Sequence, residues 1–189
     1  SLVVIVFYLY FSQWLVIDQG VSDFSYNLIF VGSAALILLS APIAGQVTDK
    51  IGVRMPYLRM ATVATFLFFL AAGLIAVFSP SFFTLAAVAF LFANYFYLLS
   101  FSFYNPLLVS IAPAEKQGLV SGLGQSANLL GQIGGILLVL PLVTGVIVFF
   151  GEAGRAQAFI PMAILFFILA LPMLFWFKCS AINHGRGNR

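Results

Sequence analysis

Residues 158–177 read AFIPMAILFFILALPMLFWF, a run with no charged, amide or hydroxyl side chain. A stretch of about 20 apolar residues is the length of α-helix that crosses the hydrocarbon core of a bilayer. The alternative spanning structure, a β-barrel strand, alternates apolar and polar positions over about 10 residues, whereas 158–177 is apolar on every face. The rest of the chain shares this character: of 189 residues, 63% are hydrophobic, 16% aromatic and only 7% charged. An ordinary soluble domain is about 25% charged. Five acidic and eight basic side chains cannot cover a water-facing surface, which excludes a soluble globular protein, and the hydrophobicity excludes a disordered one. The fold class expected is all-α, a polytopic membrane protein.

Working outward from 158–177, polar punctuation divides the chain into six helices, expected at 2–17, 27–47, 58–78, 82–111, 118–150 and 158–177. They form one transmembrane domain over 1–178, followed by a polar tail over 179–189. Ser79-Pro80-Ser81 is the sharpest turn signal among the breaks. The first helix is short, and the sequence opens at Ser1-Leu2 without an initiator Met or a charged n-region. The expectation is a start inside helix one, with part of the amino-terminal sequence missing, rather than a signal peptide.

Lys and Arg in short loops set the orientation of a membrane protein. Lys50, Arg54, Arg59, Lys116, Lys178, Arg186 and Arg189 fall on one side, and Arg155, next to Glu152, falls alone on the other. Both termini are therefore expected to be cytoplasmic. The net charge of +3 does not imply a nucleic-acid partner, because scattered cations make no basic patch. The single Cys179 has no disulfide or zinc partner, and the single His184 lies in the tail. No metal, cofactor or catalytic set is expected, and the lipid bilayer is the first partner.

No Asp, Glu, Lys or Arg falls mid-helix, so the informative intramembrane residues are amides and hydroxyls, which face protein or a water cavity rather than lipid. Helix one has Ser12 and Gln13, helix four has Asn94, Ser100, Ser102 and Asn105, and helix five has Ser121, Gln125, Asn128 and Gln132. Helix six has none, and helix three has only Thr62 and Thr65, which can bond their own backbone. The positions 121, 125, 128 and 132 are four, three and four apart, so they stack on one helix face. That stripe either lines a substrate cavity, with Gln13 and Asn94 pointing into the same space, or makes interhelical hydrogen bonds that hold the bundle. Helix five also carries Gly118-xxx-Gly122 and Gly131-xxx-Gly135, a spacing that lets helices pack closely. The aromatic run around 90–104 reads as core and lipid contact.

The loop between helices two and three reads Gly45-Gln46-Val47-Thr48-Asp49-Lys50-Ile51-Gly52-Val53-Arg54. Gly45 would let helix two approach a neighbour, Gly52 permits a tight turn, and Asp49 suits a helix N-terminus, whose dipole favours a carboxylate. Lys50 and Arg54 can then hold the loop in one of two ion-pair arrangements, as a gate does. The bland alternative is a basic loop set only by topology.

This loop resembles the G-x-x-x-D-[RK]-x-G-x-[RK] signature of the major facilitator superfamily, matching at Gly45, Asp49, Lys50, Gly52 and Arg54. Val53 and Met55 stand where that superfamily often has further basic residues. Phe103-Tyr104-Asn105-Pro106-Leu107-Leu108, Ile111-Ala112-Pro113 and Gly118-Leu119-Val120-Ser121-Gly122 look like the branch of vacuolar amino-acid effluxers and its bacterial members, as does Ala41-Pro42-Ile43-Ala44-Gly45. The resemblance covers essentially the whole chain, as the amino-terminal half of a twelve-helix transporter built from two inverted three-helix repeats. It implies alternating-access movement of a small solute such as an amino acid, a second six-helix half as partner, and a cavity lined by helices one and four with three and six outside. A non-transporting, transporter-derived scaffold subunit of a larger membrane complex is the alternative. An enzyme is not expected, since no nucleophile–base pair lies in the spans.

Overall fold

The computed structural model describes residues 2–52, 54–111, 117–150 and 154–176, with all their side chains except those of residues 49, 105–111 and 120. The described residues are helical and contain no strand. Six helices follow in order: α1 (Leu2–Asp18), α2 (Asp23–Ile51), α3 (Met55–Phe78), α4 (Phe83–Ile111), α5 (Gln117–Val143) and α6 (Phe159–Trp176). Five of them, α2 to α6, are long and apolar enough to cross a membrane, and α1 is a shorter apolar helix.

The ends of the helices explain where residue chemistry overrides apolar length. Ser22 caps α2, its hydroxyl accepting from the Ser25 N–H at 3.2 Å, so the helix begins ahead of the expected residue 27. At the other end Gly52 adopts φ 70°, ψ 9° and its N–H bonds the Thr48 carbonyl at 2.9 Å, a left-handed termination open to glycine. Pro56 stands in the first turn of α3, where its missing N–H costs no hydrogen bond. The largest departure is α5, which stops at Val143 rather than running to residue 150. Pro141 and the positive φ of Gly145 end it, and the Gln157 side chain binds the segment that follows. Gln157 Oε1 accepts from the N–H groups of Phe149 and Phe150 at 2.9 and 3.0 Å, and its Nε2 donates to the Phe150 carbonyl. That amide is buried, so backbone polarity that α5 would have satisfied internally is satisfied by one side chain.

The helices pack as α3 on α4, α2 on α4, α3 on α6 and α1 on α5. An aromatic stack forms the centre. Phe7 of α1 lies 4.3 Å from Phe69 of α3, and Phe11 lies 4.3 Å from Phe90 of α4, centroid to centroid, with Phe159 at 5.4 Å from Phe7. These residues come from four different helices and are all fully buried. In a bilayer such packing, rather than exclusion from water, supplies the association energy. A smaller cluster of Met55, Leu58, Ala61, Leu99 and Phe103 closes the end near the α2–α3 turn. α1 winds wide at Phe7–Phe11 and Trp14–Asp18, with the Gln19 N–H reaching the Trp14 carbonyl at 3.1 Å. Such π-turns rotate every residue beyond them relative to an α-helical register.

Candidate functional site: an amide-lined cleft and its surroundings

A cleft of about 510 Å³ opens among α1, α3, α4, α5 and α6. α5 supplies Ser121, Gly124, Gln125 and Asn128, and α4 supplies Tyr97, Ser100, Phe101 and Tyr104. α6 adds Phe166, Leu169, Ala170 and Met173, α3 adds Leu58, Thr62 and Thr65, and Leu2 and Val3 of α1 complete the wall. Of the four-residue stripe, three members share this space because their spacing keeps them on one face of α5. The Thr62 and Thr65 hydroxyls each donate to their own helix, at 2.8 Å to the Leu58 and Ala61 carbonyls. Ser100 likewise donates to the Tyr97 carbonyl at 2.6 Å. Those three hydroxyl protons are therefore taken up within their own helices. Gln125 is exposed on this wall.

The fourth stripe residue, Gln132, is half-buried and does not line the cleft. Its depth on α5 lies where α1 crosses. A Cβ placed on Gly131 would stand 3.7 Å from Leu2 Cβ, and one on Gly135 would stand 2.5 Å from the Leu2 carbonyl oxygen. The second glycine pair is thus the seat of α1 on α5. The first pair differs: at Gly118 and Gly122 an added Cβ would meet nothing within 4 Å. Close packing at those two comes from no part of the described chain.

Asn94 and Gln13 are placed elsewhere. Asn94 Oδ1 accepts from the Tyr8 hydroxyl, and its Nδ2 donates to Ser33 Oγ at 2.5 Å, joining α1, α2 and α4. Ser33 passes its own proton to the Phe30 carbonyl at 3.0 Å. This amide is buried and serves as a helix-to-helix clasp. Gln13 Oε1 accepts from Arg155 Nε at 3.2 Å, beside the ion pair of Arg155 Nη1 with Asp18 Oδ1 at 2.5 Å. The π-turns of α1 rotate Gln13 toward the α5–α6 connection and away from the cleft. Neither residue reaches the substrate space expected for it. The expected division of helices also changes, since α3 and α6 line the cleft, and α1 reaches it only through its first turn.

The gate loop is described in part. Thr48 is buried, with its hydroxyl within 3.0 Å of the Ala44 and Gly45 carbonyls. Lys50 is exposed, and Arg54 is half-buried at the start of α3. The Asp49 side chain and Val53 lie outside the described residues, as do Glu152 and the tail. An added Cβ at Gly45 would meet nothing within 4 Å, so the close approach expected there is not made by the described residues.

The cleft residues that sequence reading did not single out as cavity-lining are Tyr97, Tyr104 and the apolar α6 wall. The tyrosines were hidden inside an aromatic run that also supplies the buried Phe90 and Phe103, and α6 carried no polar mark at all. No protein-family model matches the chain, and neither a curated protein nor a solved structure matches it. The described residues form an all-helical protein with several helices fit to span a bilayer, and the amide-lined cleft defines the candidate site.

Proposed function

We propose that the protein is a membrane-embedded secondary transporter, or the amino-terminal half of one, that moves a small solute by alternating access. The observation that carries this is the cleft. Gln125, Asn128 and Ser121 would be costly against acyl chains, and they instead line a space of about 510 Å³, within the roughly 300–1,000 Å³ of small-molecule sites. The loop over Gly45–Arg54 supports the same reading through its resemblance to the major facilitator gate, with the basic side of the chain cytoplasmic. The open flanks at Gly45, Gly118 and Gly122 fit a second six-helix half packed against α2 and α5. An amino acid as cargo rests on the resemblance alone.

The test is reaction from water. In a Cys179→Ser background, Gln125→Cys and Asn128→Cys are treated with a membrane-impermeant methanethiosulfonate in proteoliposomes, with Leu130→Cys as the lipid-facing control. Both cleft positions are expected to react, the control to stay unreacted, and modification to block solute flux. Lack of reaction at 125 and 128 overturns the transport reading. A scaffold subunit is the second reading, favoured by the long exposed apolar faces of α2 and α5, including Leu38, Leu39, Leu130 and Leu137. Reactive cysteines combined with no flux under any gradient, and stoichiometric copurification with other membrane subunits, decide for it.

A further inference from the structure

We infer that the cleft selects an uncharged, amphipathic solute, one with a ring or apolar body and a hydrogen-bonding group, and discriminates against zwitterions and ions. This rests on the proposal that the cleft is a solute site. No Asp, Glu, Lys or Arg lines it among the described residues. The stretches 1–17, 60–114, 117–151 and 156–177, which hold nearly all of its walls, contain no such residue at all. Leu58 lines the cleft, but Arg59 beside it does not. An ionised guest would thus give up water without gaining a charge partner, and an unpaired charge in an apolar setting is penalised far more than a neutral polar group. Intramembrane sites that handle ions carry ionisable side chains for that reason.

A helix N-terminus is the other means of holding a carboxylate without a cation. Here the α5 wall begins at Ser121, a full turn inside a helix that starts at Gln117, so the unpaired first-turn amides are not on the wall. What the walls do offer is divided in kind. The exposed Gln125 amide and the Tyr97 and Tyr104 rings present donors, acceptors and aromatic faces, whereas α6 presents only carbon and the Met173 sulfur. The Thr62, Thr65 and Ser100 protons are held by backbone carbonyls and are not available to bind an anion. A neutral guest with an amide or hydroxyl at one end satisfies the Gln125 side and lays its ring on the α6 side.

The experiment uses probes that share a ring and differ in charge: indole-3-acetamide, tryptophan, tryptamine and indole-3-acetate. Their binding to the purified chain in nanodiscs is measured by equilibrium dialysis. The amide is expected to bind saturably and at least about ten-fold more tightly than each charged probe. Gln125→Leu is expected to weaken the amide probe by about ten-fold, the scale of one lost hydrogen bond. Gln125 is exposed on the wall, so the change disturbs no packing. Gln125→Glu places a carboxylate there and is expected to move the preference to tryptamine. Tryptophan binding as well as or better than the amide overturns the inference and leaves the cleft a solute site. Amide binding unchanged in both variants also overturns it, since the guest then lies elsewhere in the bundle or among lipid. No saturable binding of any probe overturns the inference and the solute-site reading together.

Discussion

Arg155 on the α5–α6 connection holds Asp18 at the end of α1 across 2.5 Å, joining residues 137 positions apart in the chain. The same guanidinium donates to Gln13 through Nε, so one side chain fastens the carboxy-terminal end of α1 to the segment ahead of α6. A pocket of about 390 Å³ lies beside it, bordered by Trp14, Pro80 and Gln157.

Breaking this latch is expected to loosen the end of α1 and little else. Both side chains are about a third exposed, which limits the pair to at most about 1 kcal/mol. Arg155→Ala and Asp18→Ala should each lower the thermal midpoint slightly, the first by more because it also loses Gln13, and the double variant should cost no more than Arg155→Ala alone. The swap Asp18→Arg with Arg155→Asp should recover part of the loss at low salt and lose it at high salt. Full additivity of the two alanine variants would show that the pair contributes nothing.

Sequence pattern revealed the helices because a bilayer demands long apolar runs, and 158–177 needs no partner to be recognised. It was less informative where a single side chain decides an end. The segment 144–150 is apolar and reads as more α5, yet Gly145 turns it and the Gln157 amide binds it. In the cleft, Ser121, Gln125 and Asn128 were legible from spacing alone. Asn94 and Gln13 were not, because composition marks an amide as facing protein without naming the neighbour. Tyr8 and Ser33 claim the first, and Arg155, 142 positions away, claims the second through a π-widened helix that no periodicity foretells.

Asn94 should behave as a structural clasp. Asn94→Ala removes its bonds to Tyr8 and Ser33; Ser33 keeps the Phe30 carbonyl, and the half-buried Tyr8 hydroxyl loses its acceptor, a loss of about 1–3 kcal/mol on unsatisfied-group scales. Interhelical bonds in membranes average nearer about 0.6 kcal/mol each, so the lower end is expected. Tyr8→Phe should cost less than Asn94→Ala, because Asn94 keeps Ser33. Chemical denaturation in mixed micelles measures both. Solute binding by the folded fraction should be unchanged in both variants, in contrast to Gln125→Leu; weakened binding at full stability would return Asn94 to the site.

The proposed orientation rests on the loop cations. Cysteines introduced at Gly20 and Ser81 should react with an impermeant maleimide on intact cells, and a cysteine at Lys50 should react only after permeabilisation. Labelling at position 50 from outside would invert the proposed topology.

The turn between α2 and α3 separates strain from charge. Gly52 sits at φ 70°, where an L side chain is disfavoured by about 1 kcal/mol. Gly52→Ala should therefore lower stability by about that amount, whereas Gly52→Asn should cost less. Asp49→Asn keeps the volume and removes the charge that the proposed gate requires, so flux should fall several-fold while expression and melting persist. Undiminished flux in Asp49→Asn proteoliposomes would remove the gating role of this loop.

The two glycine pairs of α5 should respond in opposite ways. Gly135 lies under Leu2, where an added methyl would come within 2.5 Å of a backbone oxygen and 2.9 Å of Leu2 Cγ. A backbone atom cannot rotate aside as a side chain can, so α1 must lift from α5. Gly135→Ala is expected to destabilise the folded chain by about 1–3 kcal/mol, the usual penalty of overpacking. It should also open the cleft where Leu2 and Val3 close it, which cysteine accessibility at Val3 would report. Gly122→Ala meets open space among the described residues and gains helix propensity of up to about 1 kcal/mol over glycine. By itself the chain should therefore tolerate Gly122→Ala, with an unchanged or higher melting point. If a second six-helix body packs against that face, Gly122→Leu should block its association while leaving this chain folded. Equal destabilisation at 122 and 135 would contradict the one-sided seating of α1 on α5.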